Sequence, residues 1–75
     1  MGGVPHATVV EARSLQWHRI QLGLLQREVA ERAGVNRATV QRAERGEKIR
    51  LDILRKLAEA LHVTPAELMR QPPAT

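Results

Sequence analysis

Residues 26–46 read QREVAERAGVNRATVQRAERG, and this stretch decides the fold. Val29 and Ala30 sit among Arg27, Glu28, Glu31 and Arg32, an amphipathic pattern that predicts a helix over Gln26–Ala33. Glu28 and Arg32, four residues apart, are expected to pair on its outer face. Gly34 follows, where a residue without Cβ can take the positive φ that ends a helix. Asn36 then offers an N-cap for a second short helix over Arg37–Arg45, which Gly46 closes. Val35 is apolar and can plug the core from the turn.

Toward the N-terminus, Thr8 and Glu11 have capping-box spacing and predict a first helix from Val9 to Leu22, ended by Gly23. Leu15, Arg19 and Leu22 would share one face of it. Residues 1–7 contain Gly2, Gly3 and Pro5, show no periodicity, and are expected to form a flexible arm. Toward the C-terminus, Glu47–Arg50 reads as a short charged connection. Leu51, Leu54, Leu57, Ala58 and Leu61 recur at helical spacing and predict a helix over Leu51–Leu61. Thr64, Pro65 and Glu67 combine an N-cap, a proline at the first helical position and a capping-box acid, so a fifth helix should run from Pro65 to Arg70. Residues 71–75, with Pro72 and Pro73, are expected to form a flexible tail. No segment alternates with the period of a strand. The expected fold class is all-α: a compact bundle of about five short helices, residues 8–70, around a central helix-turn-helix.

Composition narrows the function. The chain has 75 residues, room for one small domain, and no cysteine for a disulfide or a thiolate metal site. No apolar run approaches the roughly 20 residues that span a bilayer, and no signal-peptide pattern opens the chain, so a cytoplasmic protein with no membrane partner is expected. Twelve Lys and Arg stand against eight Asp and Glu, for a net charge of +4, and ten of the twelve are arginine. A basic domain rich in arginine points to a polyanionic partner. His6, His18 and His62 lack metal-ligand spacing, Ser14 is the sole serine, and no glycine-rich phosphate loop occurs, so neither a metal, a cofactor nor an enzymatic activity is expected. Trp17, the only aromatic residue, is expected to pack with Val10, with a dimer contact as the alternative. A lone aromatic does not suit stacking of single-stranded bases.

The second helix of the quoted stretch divides by face. Val40 and Ala43 would point inward. Arg37, Gln41 and Arg45 recur every four residues with Ala38 and Arg42 beside them. Arginine can donate two parallel hydrogen bonds to guanine, glutamine can pair with adenine in the same way, and alanine allows close approach or meets a thymine methyl.

Segments in order from Leu15 to Met69 carry a family resemblance: RIQLGLLQ, VAERAGV, TVQRAERG and LRKLAEALHVTPAEL. This run resembles the lambda-repressor/Cro-type helix-turn-helix family, also called the XRE family, and RIQLGLLQ is especially similar to the lambdoid phage repressors. The resemblance implies that Gln26 contacts a DNA phosphate and buttresses the reading helix. It implies base or nearby phosphate contacts for Asn36, Arg37, Ala38 and Arg42, with Gln41 on the same face as a further base contact. Arg45 stands where an asparagine that approaches phosphate is frequent. Arg19 and Glu44 match a buried ion pair between the first and third helices, which assigns Arg19 to structure. Three departures stand out. Leu25 replaces the usual Ser, Thr or Asn cap, Ala43 is smaller than the usual core residue, and the connection after Gly46 lacks a frequent proline.

Together these readings lead to an expected function. The chain should bind double-stranded DNA sequence-specifically and regulate transcription, as a repressor rather than an activator. Gln26, Arg27, Arg45, Lys48 and Arg50 would hold phosphates and set the register, while Asn36, Arg37, Ala38, Gln41 and Arg42 read bases. A homodimer on a palindromic site is expected, with Leu68 and Met69 of the fifth helix as the dimer surface. The alternative is an antitoxin or another protein-interaction module of the same fold, with a toxin or RNA polymerase as the protein partner.

Overall fold

A computed structural model describes residues 8–73, so the expected arm 1–7 and the last two residues of the tail lie outside the described residues. The elements are β1 (Val9–Val10), α1 (Leu15–Gln21), α2 (Gln26–Ala33), α3 (Arg37–Glu44), β2 (Ile49–Arg50), α4 (Leu51–Leu61) and α5 (Pro65–Met69).

The central pair forms as its pattern requires. Val29 and Ala30 of α2 are buried against Val40 and Ala43 of α3. Gly34 takes a left-handed conformation at φ 69°. The Gly34 N–H donates to the Glu31 carbonyl and the Val35 N–H to the Ala30 carbonyl, at 3.3 and 3.0 Å. This Schellman arrangement satisfies the last carbonyls of α2 and folds Val35 onto the core. α4 ends the same way around His62, whose φ of 60° makes it the only positive-φ residue other than glycine among the described residues. α4 itself buries Leu54, Leu57, Ala58, Ala60 and Leu61. α5 starts on a complete capping box. The Glu67 N–H donates to Thr64 Oγ1 at 3.1 Å, and the Thr64 N–H donates to Glu67 Oε1 at 2.8 Å.

The N-terminal expectation needs correction. No helix starts at Val9; α1 begins six residues later, at Leu15. Thr8, Val9 and Val10 are all β-branched and favour extended backbone. They find a partner that a local reading could not see: β1 pairs antiparallel with β2, Val9 opposite Arg50 and Val10 opposite Ile49. The described residues therefore carry one two-stranded sheet beside five helices. Buried Ser14 then seats the start of α1 on α5. Its N–H donates to the Leu68 carbonyl at 3.0 Å and its Oγ to the Glu67 carbonyl at 2.7 Å.

Smaller corrections follow from burial. Leu22 does not join Leu15 on the core face but caps α1 in an exposed position. Glu28 does not pair with Arg32; its Oε1 accepts from the Leu25 N–H at 2.8 Å. Trp17 meets His18 edge-to-face at 4.9 Å and lines a cleft between α1 and α5 with Glu67, Arg70 and Pro73. Leu68 is 0% exposed, so it belongs to the core and offers nothing to a dimer surface, whereas Met69 beside it is 36% exposed. Among the described residues no helix is long and apolar enough to cross a membrane.

Candidate nucleic-acid interface

α3 is clamped from below and bare above. Val40 and Ala43 are buried, while Asn36, Arg37, Ala38 and Arg42 are exposed and Gln41 is half-buried. The small Ala43 is fully enclosed, so the departure at that position leaves no open gap at the surface. Asn36 occupies the N-cap position in extended backbone, but its side chain makes no capping hydrogen bond. The amide group thus stays available to a ligand.

A buried polar network sets the orientation of α3. Arg19 Nε donates to Glu44 Oε2 at 2.6 Å and Arg19 Nη2 to Glu44 Oε1 at 3.0 Å. This bidentate pairing is stronger and more directional than a single contact. Arg19 Nη1 donates to the Leu24 carbonyl at 2.8 Å, which ties the α1–α2 turn into the same unit. The two side chains are 13% and 4% exposed. The Glu44 hydrogen bond holds the Arg19 guanidinium above its ordinary pKa, against the opposing effect of burial. Gln26 belongs to this network as well: its Nε2 donates to Glu44 Oε1 at 2.9 Å. The first residue of α2 is therefore locked to the last residue of α3.

Beside this lock, the N-terminal end of α2 is open. Leu25 is the N-cap, in extended backbone and 51% exposed, with no side-chain oxygen to offer. Glu28 answers the Leu25 N–H, and the Glu28 N–H bonds the Leu25 carbonyl. The N–H groups of Gln26 and Arg27 gain no side-chain acceptor in the structure. Gln26 and Arg27 line a cleft of about 370 Å³ together with Arg19, Leu25 and Arg37. Free amides, the positive end of a helix dipole and two exposed arginines make a seat for an anion. The missing cap at Leu25, legible in the sequence only as a departure, is what leaves this end unoccupied.

The remaining candidate phosphate contacts lie at and after the C-terminal end of α3. Arg45 caps α3, is exposed, and pairs with Glu47 at 3.1 Å. Arg50, in β2, pairs with Asp52 at 3.2 Å. Both pairs are solvent-exposed and worth little, so either arginine can exchange its carboxylate for a phosphate. Lys48 is exposed between them. The connection expected over Glu47–Arg50 is built in part into a sheet: Ile49–Arg50 form β2, paired with β1. Among the described residues no three His, Asp or Glu side chains gather as a metal site would require.

Comparison with known proteins agrees with this geometry. A helix-turn-helix family model matches residues 15–68. The restriction-modification controller protein C.AhdI from Aeromonas hydrophila superposes with a TM-score of 0.71 at 36% identity, covering 76% of this chain and 88% of that one. The hypothetical transcription factor NHTF from Neisseria superposes with a TM-score of 0.73 at 32% identity, covering 81% of this chain and 71% of that one. No curated protein matches the chain. The match over α1 to α5, on a fold in which α2 and α3 form the motif and α3 presents its polar face, places the chain in the lambda-repressor/Cro-type (XRE) helix-turn-helix family of DNA-binding transcriptional regulators.

Proposed function

We propose that this chain is a sequence-specific transcriptional repressor that lays α3 in the major groove of a palindromic duplex site and binds that site as a homodimer. The observation that carries the reading is the row of exposed Asn36, Arg37, Ala38 and Arg42 with half-buried Gln41 beside them, held on a helix whose orientation is set by the Arg19–Glu44–Gln26 network. Arg37 and Arg42 suit guanine, Gln41 and Asn36 suit adenine, and Ala38 permits the helix to sit close. Gln26, Arg27, Arg45, Lys48 and Arg50 flank the row and would hold phosphates on either side, which sets register without reading sequence.

Similarity to a restriction-modification controller protein and to a transcription factor supports a regulatory role. One such helix spans only a few base pairs. Useful discrimination therefore calls for two copies, with their reading helices about 34 Å apart along one face of the duplex. With Leu68 in the core, Met69 is the part of the expected dimer surface still open to a partner.

Selection from random duplex DNA, combined with sedimentation of the free and bound protein, tests the proposal. The expected result is an enriched inverted repeat occupied by two chains. Salt-sensitive binding without any enriched sequence would refute the repressor reading, and a strictly monomeric complex would refute the dimer.

A further inference from the structure

The family match begins at residue 15, yet the structure gives the preceding residues a defined task. The Leu51 N–H donates to the Thr8 carbonyl at 3.0 Å. Hydrogen-bonded and non-hydrogen-bonded pairs alternate along an antiparallel ladder. With Thr8 facing Leu51 across a hydrogen bond, Val10 and Ile49 form the next bonded pair, and Val9 and Arg50 form the unbonded pair between them. Side chains alternate accordingly. Val10 packs on the core and Ile49 is buried, while Val9 and Arg50 are exposed. Lys48, on the other side of Ile49, is exposed too. Pinning Ile49 inward therefore turns both cations of the connection outward. The other end of the segment is equally fixed: Ala12 is buried, and Ser14 holds the Glu67 and Leu68 carbonyls at the end of α5.

We infer that Thr8–Ser14 is a strap that braces the basic connection between α3 and α4 and thereby positions Lys48 and Arg50 for phosphate contact. This rests on the DNA-binding reading and gives residues outside the family match a positioning role, carried by the Val10 rung of the ladder. The strap itself touches no DNA; it acts through the backbone of β2. A free connection would have to be ordered on binding, and the conformational entropy of that ordering would weaken each phosphate contact.

Two proline substitutions separate this role from a general loss of structure. Val10→Pro removes a ladder N–H, whereas Val9→Pro removes an N–H that points away from β2 and is the tolerated edge position. Both variants are titrated with mixed-sequence duplex DNA over a range of salt, with helix content followed by circular dichroism. Val10→Pro is expected to stay helical, to bind about tenfold more weakly, and to lower the slope of log affinity against log salt by about one to two, as loss of one or two phosphate contacts requires. Val9→Pro should keep the wild-type slope. A helical Val10→Pro variant with the wild-type slope would overturn the inference.

Should Val10→Pro not fold, amide exchange of the intact protein decides. The Leu51 amide is expected to be protected in the free protein and slower still on DNA; rapid exchange in both states would overturn the strap. The two readings fail separately. A wild-type chain that does not bind duplex DNA removes the DNA-binding reading, while wild-type binding with an unaltered slope in Val10→Pro removes the strap alone.

Discussion

α2 and α5 begin in opposite ways, although each must satisfy the same free N–H groups. At α5, Thr64 and Glu67 exchange side-chain and backbone hydrogen bonds, and the end is closed. At α2, Leu25 supplies no acceptor, Glu28 answers only the N-cap N–H, and the end is open. A closed end is finished business for the fold. An open end, flanked by Arg27 and Arg37 and locked to α3 through Gln26, leaves polar capacity for something outside the chain. The contrast teaches that a missing cap can mark a ligand-facing terminus as readily as a defect in the fold.

The largest expected effect tests the lock between the open end and α3. Glu44→Ala leaves Arg19 buried without its partner, which costs about 3–5 kcal/mol. Urea unfolding of the variant measures it. A loss below about 1 kcal/mol would mean that the network does not hold α3 in place. Next in size, Arg42→Ala should remove about 1–3 kcal/mol of discrimination at one base pair of the selected site and leave the others as they were. Binding to single-base variants of that site reads this directly, and an unchanged preference would return Arg42 to the solvated surface.

A smaller pair of effects addresses the two helix starts themselves. Leu25→Ser supplies the absent acceptor, so the free protein should gain about 0.5–1 kcal/mol while duplex affinity falls, if this end holds a phosphate as proposed and the hydroxyl takes the amide first. Thr64→Ala should lose about 1 kcal/mol and bind DNA as before. Equal effects of the two substitutions on DNA affinity would erase the distinction between the ends.

The smallest effect is in acid. Hydrogen bonding to Thr64 holds the exposed Glu67 carboxyl below its ordinary value of 4.5. A depressed carboxylate contributes stability that is present above the unfolded value and is lost as pH falls through the folded one. The melting temperature of the wild type should therefore fall more steeply below about pH 4.5 than that of Glu67→Gln. Parallel profiles would show that the capping carboxylate does not couple to stability.

Much of this molecule is legible residue by residue because its signals are local. The bounds of α2 and α4 follow from apolar residues at three and four positions apart, and the start of α5 follows from Thr64, Pro65 and Glu67. Each depends on neighbours within a turn or two of the same helix. The polar row of α3 is legible for the same reason: one helix, one face. The start of α1 was not legible. Thr8 and Glu11 have the spacing of a capping box, but the β-branched run between them prefers extended backbone, and its partner Ile49–Arg50 lies some forty residues away. Spacing along the chain cannot weigh a local cap against a distant ladder.

The places of Leu25 and Leu68 escape a local reading for a related reason. Their residue type says apolar, while only packing decides that Leu68 closes the core and Leu25 stays at the surface. By itself, then, the sequence determined α2 to α5, the glycine turn and the chemistry displayed on α3, since each arises from contacts between near neighbours. Tertiary structure alone decided that Gln26 completes the Arg19–Glu44 network, that the start of α2 remains open, and that Thr8–Ser14 ties β2 to α5. Those depend on surfaces and hydrogen bonds that exist only once distant segments have met.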